Sequence, residues 1–251
     1  MRAALQITYI GHATILIEID GIRIITDPFF RKRVWHLSRT HLTIQPEWYR
    51  EIDAVLISHA HWDHLDIASL RKFDSETQVI APPGARALIR KSGLRNILEA
   101  RAGEINHFGA VSVLATYAEH LGKRGPFSPE LPCLGFLIQG SQTVYFSGDT
   151  ALFDGMENLA QDLDIALLPV WGWGPTLGEG HMDPFQAAEA ARRLSPRIAM
   201  PIHWGTLYPI GLRWILPRYL REPPLAFAEQ VRKKAPGVKV EILKPGEKLR
   251  L

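Results

Sequence analysis

Three histidines and an aspartate fall within the stretch His59-Ala60-His61-Trp62-Asp63-His64, and no other segment constrains this chain as tightly. With Ser58 between, it follows Ile52-Asp53-Ala54-Val55-Leu56-Ile57, a short apolar run rich in β-branched residues that predicts a buried strand. A strand ending in a dense set of imidazole and carboxylate donors suits a divalent metal of intermediate softness, zinc first, with manganese or iron accepted by the same donors. His59 and His61 are two residues apart, so in extended backbone their side chains share a side. Asp63 and His64 are adjacent and point apart unless the chain turns there. One metal can use the first pair and a second metal the last.

The spacing His-x-His-x-Asp-His resembles the metallo-β-lactamase superfamily, whose remaining ligands come from separated loops. The apolar run Val111 to Thr116 leads to His120, Thr143 to Ser147 leads to Gly148-Asp149-Thr150, and Ile198 to Ile202 leads to His203-Trp204-Gly205-Thr206. An early Thr26-Asp27-Pro28 matches the family's first aspartate. Gly11-His12-Ala13-Thr14, Glu119-His120-Leu121-Gly122-Lys123-Arg124, His181-Met182-Asp183-Pro184 and Ile202 to Thr206 are similar to the branch that holds the N-acylphosphatidylethanolamine phospholipase D and the ascorbate-phosphate lactonases. The segment Arg31 to Gln45 departs from that branch. The first strand begins almost at once, which leaves no room for the membrane-docking extension of the mammalian phospholipase.

The resemblance implies a site as well as a fold. His59, His61 and His120 would hold one metal, Asp63, His64 and His203 a second, and Asp149 would bridge them, with Asp27 orienting a ligand from behind. Catalysis then falls to Asp63, Asp149 and His181. A hydroxide shared by two divalent cations, zinc first, would attack a phosphodiester, including one of phospholipid type. The alternatives are a lactonase or other ester hydrolase acting on a small anionic metabolite, and, from another class, a catalytically silent metal-binding regulator. A diiron oxidoreductase on the same fold fits less well, because that class replaces a histidine of the motif and His61 is intact. No Gly-x-Ser-x-Gly elbow competes as a nucleophile. His181, on a Gly-rich loop before a helix, together with Lys123, Arg124 and His12, is the candidate substrate contact. Trp171-Gly172-Trp173-Gly174-Pro175 reads either as a cleft wall or as a cover for the core. His36, His41 and His107 carry no motif and default to surface or structural roles.

Composition agrees with one α/β hydrolase domain over residues 1–251. Hydrophobic residues make up 46% and charged residues 22%, and the formal charge of +3 is too small to suggest a nucleic-acid partner. The lone Cys133 cannot form an internal disulfide and sits in an apolar run, so it reads as core packing in a cytoplasmic protein. No apolar run approaches the roughly 20 residues that a transmembrane helix needs. The expected partner is a small-molecule or lipid-like anionic substrate, with a homo-oligomer left open.

Strands are expected at Ile7 to Ile10, Thr14 to Ile19, Ile22 to Thr26, Gln78 to Ala81, Ala110 to Tyr117, Leu134 to Gln139, Thr143 to Phe146, Leu163 to Pro169 and Lys239 to Leu243. Helices are expected at Ile67 to Lys72, Ala85 to Lys91, Leu152 to Ala160, Phe185 to Leu194 and Leu225 to Lys234, the fourth capped by Asp183 with Pro184 in its first turn. Periodicity says α/β. The resemblance implies a four-layer αββα sandwich.

Overall fold

The computed structural model describes residues 5–40, 43–159 and 161–251, so His41 and the end of the expected helix at Ala160 lie outside the described residues. Two seven-stranded sheets dominate it. In the first, Leu5–Gly11, Thr14–Ile19 and Ile22–Thr26 form an antiparallel meander, after which Ala54–Leu56, Gln78–Ala81 and Ile97–Glu99 add in parallel. The second sheet has the same plan. Ile105–Phe108, Val111–Tyr117, Leu134–Gln139 and Thr143–Phe146 run antiparallel, and Ile165–Pro169, Ile198–Ile202 and Lys239–Val240 then follow in parallel. Asp20 (φ 49°) and Gly21 (φ 85°) make the tight turn of the first meander, where a hairpin needs left-handed backbone.

Side-chain alternation explains the layers. Ile15, Ile17 and Ile19 of one sheet and Leu134, Phe136 and Ile138 of the other meet in a common core, so the sheets lie face to face. The intervening residues face outwards and are buried as well. Leu16, Ile25, Val55 and Val79 pack under Leu70 and Ile89, from the short helices Ile67–Leu70 and Arg86–Ile89. Tyr145, Ala166, Leu168 and Ala199 pack under Ala187, Ala191 and Phe227, from the helices Pro184–Leu194 and Glu222–Lys234. The order helix, sheet, sheet, helix is the expected αββα sandwich. Strands covered on both faces read as continuous apolar runs, as these do.

Several boundaries move. Leu152 to Ala160 is not a helix: its described part holds one 3₁₀ turn, Met156–Asn158, because Gly155 before it takes left-handed backbone at φ 87°. The strand expected at Lys239 to Leu243 contracts to Lys239–Val240. The last helix starts earlier, at Glu222, with Pro223 and Pro224 in its first turn, where no intrahelical N–H is needed. Cys133 is buried, and burial first, then the nearby carboxylates, pushes its thiol up to about 12. Among the described residues no helix is long and apolar enough to cross a membrane.

Candidate metal centre and its cleft

The parallel strands of both sheets deliver the candidate residues at their carboxyl ends, the edge where open α/β sheets usually bind ligands. Asp27 follows Ile22–Thr26, His59 follows Ala54–Leu56 by two residues, Asp149 follows Thr143–Phe146 and His203 follows Ile198–Ile202. The chain does turn within the motif, the amides of His64 and Leu65 both donating to the His61 carbonyl (3.2 and 2.9 Å). That turn folds the His64 ring back to 4.1 Å from the His59 ring. Three residues around the centre hold left-handed backbone without being glycine: His12 (φ 61°), Asp27 (φ 35°) and His203 (φ 61°). Such backbone costs about 1–3 kcal/mol per residue and persists where the surroundings fix it.

Two clusters of donors result. His59, His61 and His120 bring one ligand atom each within 4.8 Å of one another, and so do His12, Asp63, His64 and His203. Asp149 lies between them. Its Oδ2 is 3.2 Å from Nε2 of both His64 and His203, 3.3 Å from Nε2 of His181 and 3.9 Å from Nε2 of His59. All seven residues that the sequence motifs single out as ligands are therefore in one place, drawn from both sheets.

The nitrogens that face away from the centre are held. His64 Nδ1 lies 2.8 Å from Asp27 Oδ2, and Asp27 also accepts from the Ser58 amide (2.7 Å) and the Ser58 hydroxyl, which in turn contacts His59 Nδ1. Nδ1 of His120 lies 2.8 Å from the Gly180 carbonyl, and Nδ1 of His203 lies 2.8 Å from the Trp171 carbonyl. Each such bond fixes the ring and turns its Nε2 inwards, as histidine ligands require. Two glycines permit the approach. A Cβ on Gly148 would stand 2.7 Å from Ser58 Cβ, and one on Gly180 would stand 2.8 Å from His120 Nδ1.

Electrostatics separate the members. Burial, reinforced by neighbouring imidazoles, holds His59 well below its ordinary value, and burial also lowers His61 and takes His120 down to about 4. These rings are neutral and free to donate lone pairs. Burial opposes ionisation of Asp149, but His203, His64 and the hydrogen bond to His181 outweigh it and keep the carboxyl well below the usual range. Asp63 is likewise held ionised against its burial, by His64 and His12. His64 is raised because Asp149, Asp63 and Asp27 together outweigh burial.

The remaining expectations divide. His181 reaches the centre and also lines the cleft above it. His12 does not reach that cleft: it is buried, with Nε2 2.8 Å from Asp63 Oδ2 and its ring 3.8 Å from that of His203. Lys123 is exposed in the short hairpin strand Gly122–Lys123, opposite Glu130, and lies outside the cleft lining. Arg124 touches the cleft, yet its Nη1 donates to the carbonyls of Ala60 and Leu65 and its guanidinium lies 3.8 Å over the Trp62 ring. It braces the ligand turn. Of the Gly/Trp loop, Gly172 and Trp173 line the cleft, whereas Trp171 stacks on Tyr219. His107 sits exposed on the edge strand Ile105–Phe108.

Sequence reasoning missed Trp35, His36 and Trp62, which line the cleft with Trp173. An available signal was the departure of the Arg31 to Gln45 segment, which carries two of them.

The family pattern described as "Beta-lactamase superfamily domain" matches residues 22–204. A UPF0173 metal-dependent hydrolase of Desulforamulus reducens is 32% identical over 256 residues, covering 98% of this chain and all of the relative. The chain belongs to the metallo-β-lactamase superfamily and, within it, to the UPF0173 metal-dependent hydrolases. A UPF0173 metal-dependent hydrolase of Exiguobacterium is 29% identical over 95% of this chain and 100% of its own. Among solved structures the UPF0173 chain is similar to Igni18, a novel metallo hydrolase from Ignicoccus hospitalis, at 26% identity, with a TM-score of 0.74 and 98% of both chains covered. The chain is thus a metal-dependent hydrolase with a His/Asp cluster suited to metal.

Proposed function

We propose that the whole chain is one hydrolase domain with a dinuclear centre. In this reading His59, His61 and His120 hold one divalent ion, Asp63, His64 and His203 hold the other, and Asp149 bridges them. The nitrogen and carboxylate donor set favours zinc, and it accepts manganese or iron. The observation that carries the reading is the position of Asp149 Oδ2 among imidazole nitrogens of both clusters. The donors also fit a cation by what they lack. Among the described residues, His59 Nε2 and Asp149 Oδ1 are buried without a hydrogen-bond partner. Such orphaned groups cost about 1–3 kcal/mol each, which ligation would remove.

When bound, a divalent pair makes hydroxide available near neutral pH and offsets charge developing on oxygen. The protein's own part is orientation and proton transfer. Asp27 and the carbonyls of Gly180 and Trp171 fix the rings. His181 Nδ1 faces the carbonyls of Gly178 and Glu179 (3.2 and 3.1 Å), which leaves Nε2 to face Asp149 and the cleft. Burial would lower His181, but the hydrogen bond and charge of Asp149 outweigh it and raise the ring, which favours a proton on Nε2. That proton is available to the leaving oxygen as its bond to carbon or phosphorus breaks.

For the substrate we favour the carboxyl ester or lactone reading over the phosphodiester, which corresponds to the lactonase side of the resembling branch. The phosphodiester reading leans on the His181 and Lys123-Arg124 segments; His181 can serve either substrate, Lys123 is outside the cleft and Arg124 is engaged with backbone carbonyls. The test is turnover of 4-nitrophenyl acetate and bis(4-nitrophenyl) phosphate, side by side, by protein reconstituted with zinc or manganese. Metal-dependent ester turnover that disappears in Asp149→Ala is expected. Faster cleavage of the phosphodiester would restore that reading, and no turnover of either by protein holding two metals would favour the silent regulator.

A further inference from the structure

The cleft above the donors has a volume of about 510 Å³, a size suited to a small molecule. Its floor is His61, Asp63, Asp149 and His181. One wall comes from a hairpin anchored close to the donors. The strands Arg33–Val34 and Leu37–Arg39 pair with each other, and Leu37–Arg39 pairs with Leu207–Pro209, a few residues after His203. The hairpin tip is Trp35-His36, and its two rings reach two different walls. Trp35 packs on Trp62 at 5.6 Å, and Trp62 stands between His61 and Asp63 in the chain. His36 meets Trp173 edge-on at 5.1 Å, and Trp173 is two residues beyond Trp171, whose carbonyl holds His203.

A two-residue hairpin tip is ordinarily Asn, Asp or Gly, because it needs left-handed backbone. Trp35 takes that backbone at φ 51° and leaves 68% of itself exposed. A bulky residue there is strained and gains little from burial, so its benefit has to come from something that occupies the cleft. The lining offers no free Lys or Arg to such a ligand. Among the described residues Arg124 is its single Lys or Arg, and it is already stacked on Trp62 and bonded to carbonyls of the ligand turn. Its carboxylates, Asp63 and Asp149, face imidazoles.

We infer that Trp35, Trp62 and Trp173, with His36, form an aromatic clamp that selects substrates carrying a flat, uncharged ring beside the scissile bond, such as aryl esters or aryl-substituted lactones. The inference rests on the dinuclear hydrolase reading and names the substrate class of that site. Offset and edge-to-face ring contacts give such a ring a preference that an alkyl group of one or two carbons cannot match.

The clamp is tested by calorimetric titration of the zinc-loaded full chain with two product-like carboxylates, 2-naphthoate and acetate, beside Trp35→Ala and Trp173→Ala. Trp35 is exposed enough for its replacement to leave the core intact. The clamp requires 2-naphthoate to bind at least about tenfold more tightly than acetate, the gain that favourable ring contacts supply together with apolar burial. It also requires that ratio to collapse towards one in both variants. Equal affinities in the wild type, or a ratio that survives both substitutions, would overturn it. Zinc is counted separately by elemental analysis. Equal affinities with two ions bound refute the clamp alone, whereas fewer than two ions in the wild type refute the metal centre on which it rests.

Discussion

Asp27 shows how much of this centre is decided by a residue that need touch no metal. One carboxylate holds His64 directly and His59 through Ser58, from a left-handed backbone position at the end of a strand. Asp27→Ala should therefore weaken divalent-metal affinity by about 10- to 100-fold, the usual effect of losing such a partner. Competition with a chromogenic chelator measures this, and unchanged affinity would show that the rings are fixed by packing alone. His181 has a different role, because it faces the cleft as well as Asp149. His181→Gln should lower kcat by about 10²- to 10⁴-fold on an ester with a poor leaving group, as expected for loss of a general acid. The loss should be much smaller on a 4-nitrophenyl ester, whose leaving group needs no proton. An equal loss on both would make His181 a positioning residue.

At the scale of elements, the long strands and their terminal donors were legible, and the pieces that shape the cleft were not. Strands buried on both faces write themselves as apolar runs, so Thr143–Phe146 and Ile198–Ile202 could be located along with the residues that follow them. The helix Pro184–Leu194 was legible through its cap. Asp183 accepts from the amides of Phe185 and Gln186, and the Gln186 side chain returns to the Asp183 amide. Asp183→Ala should cost about 0.5–2 kcal/mol, read as a lower urea midpoint with an unchanged slope. A shift beyond that range would mean the cap also supports the His181 loop. By contrast Arg33–Val34, Leu37–Arg39 and Leu207–Pro209 are short, partly polar strands: the first two meet across a tip that lacks the usual Asn, Asp or Gly, and the last two pair across residues far apart in the chain, so no local pattern announces them. That is why no strand is expected around Trp35 and His36, and His36 defaults to a surface or structural role. The expected helix at Leu152 failed for a local reason, the left-handed Gly155. His12 reads in the sequence equally as a substrate contact or as a structural hydrogen-bond partner, and the fold puts its Nε2 2.8 Å from Asp63 Oδ2.

At the scale of the molecule, the two sheets share one apolar core, and the candidate centre ties them together at one edge. His59, His61, Asp63 and His64 come from the first sheet's side, and His120, Asp149 and His203 from the second's. Metal bound across that seam stabilises only the folded chain, so a chelator should lower the midpoint of thermal unfolding and zinc should restore it. Identical midpoints with and without chelator would separate the centre from the fold.

A bridge between two divalent ions at Asp149 is checked by elemental analysis of metal per chain in the zinc-reconstituted wild type and Asp149→Ala. Two ions are expected in the wild type, with weakened binding at both positions in the variant. Two tightly held ions in Asp149→Ala, or a single ion in the wild type, would contradict it.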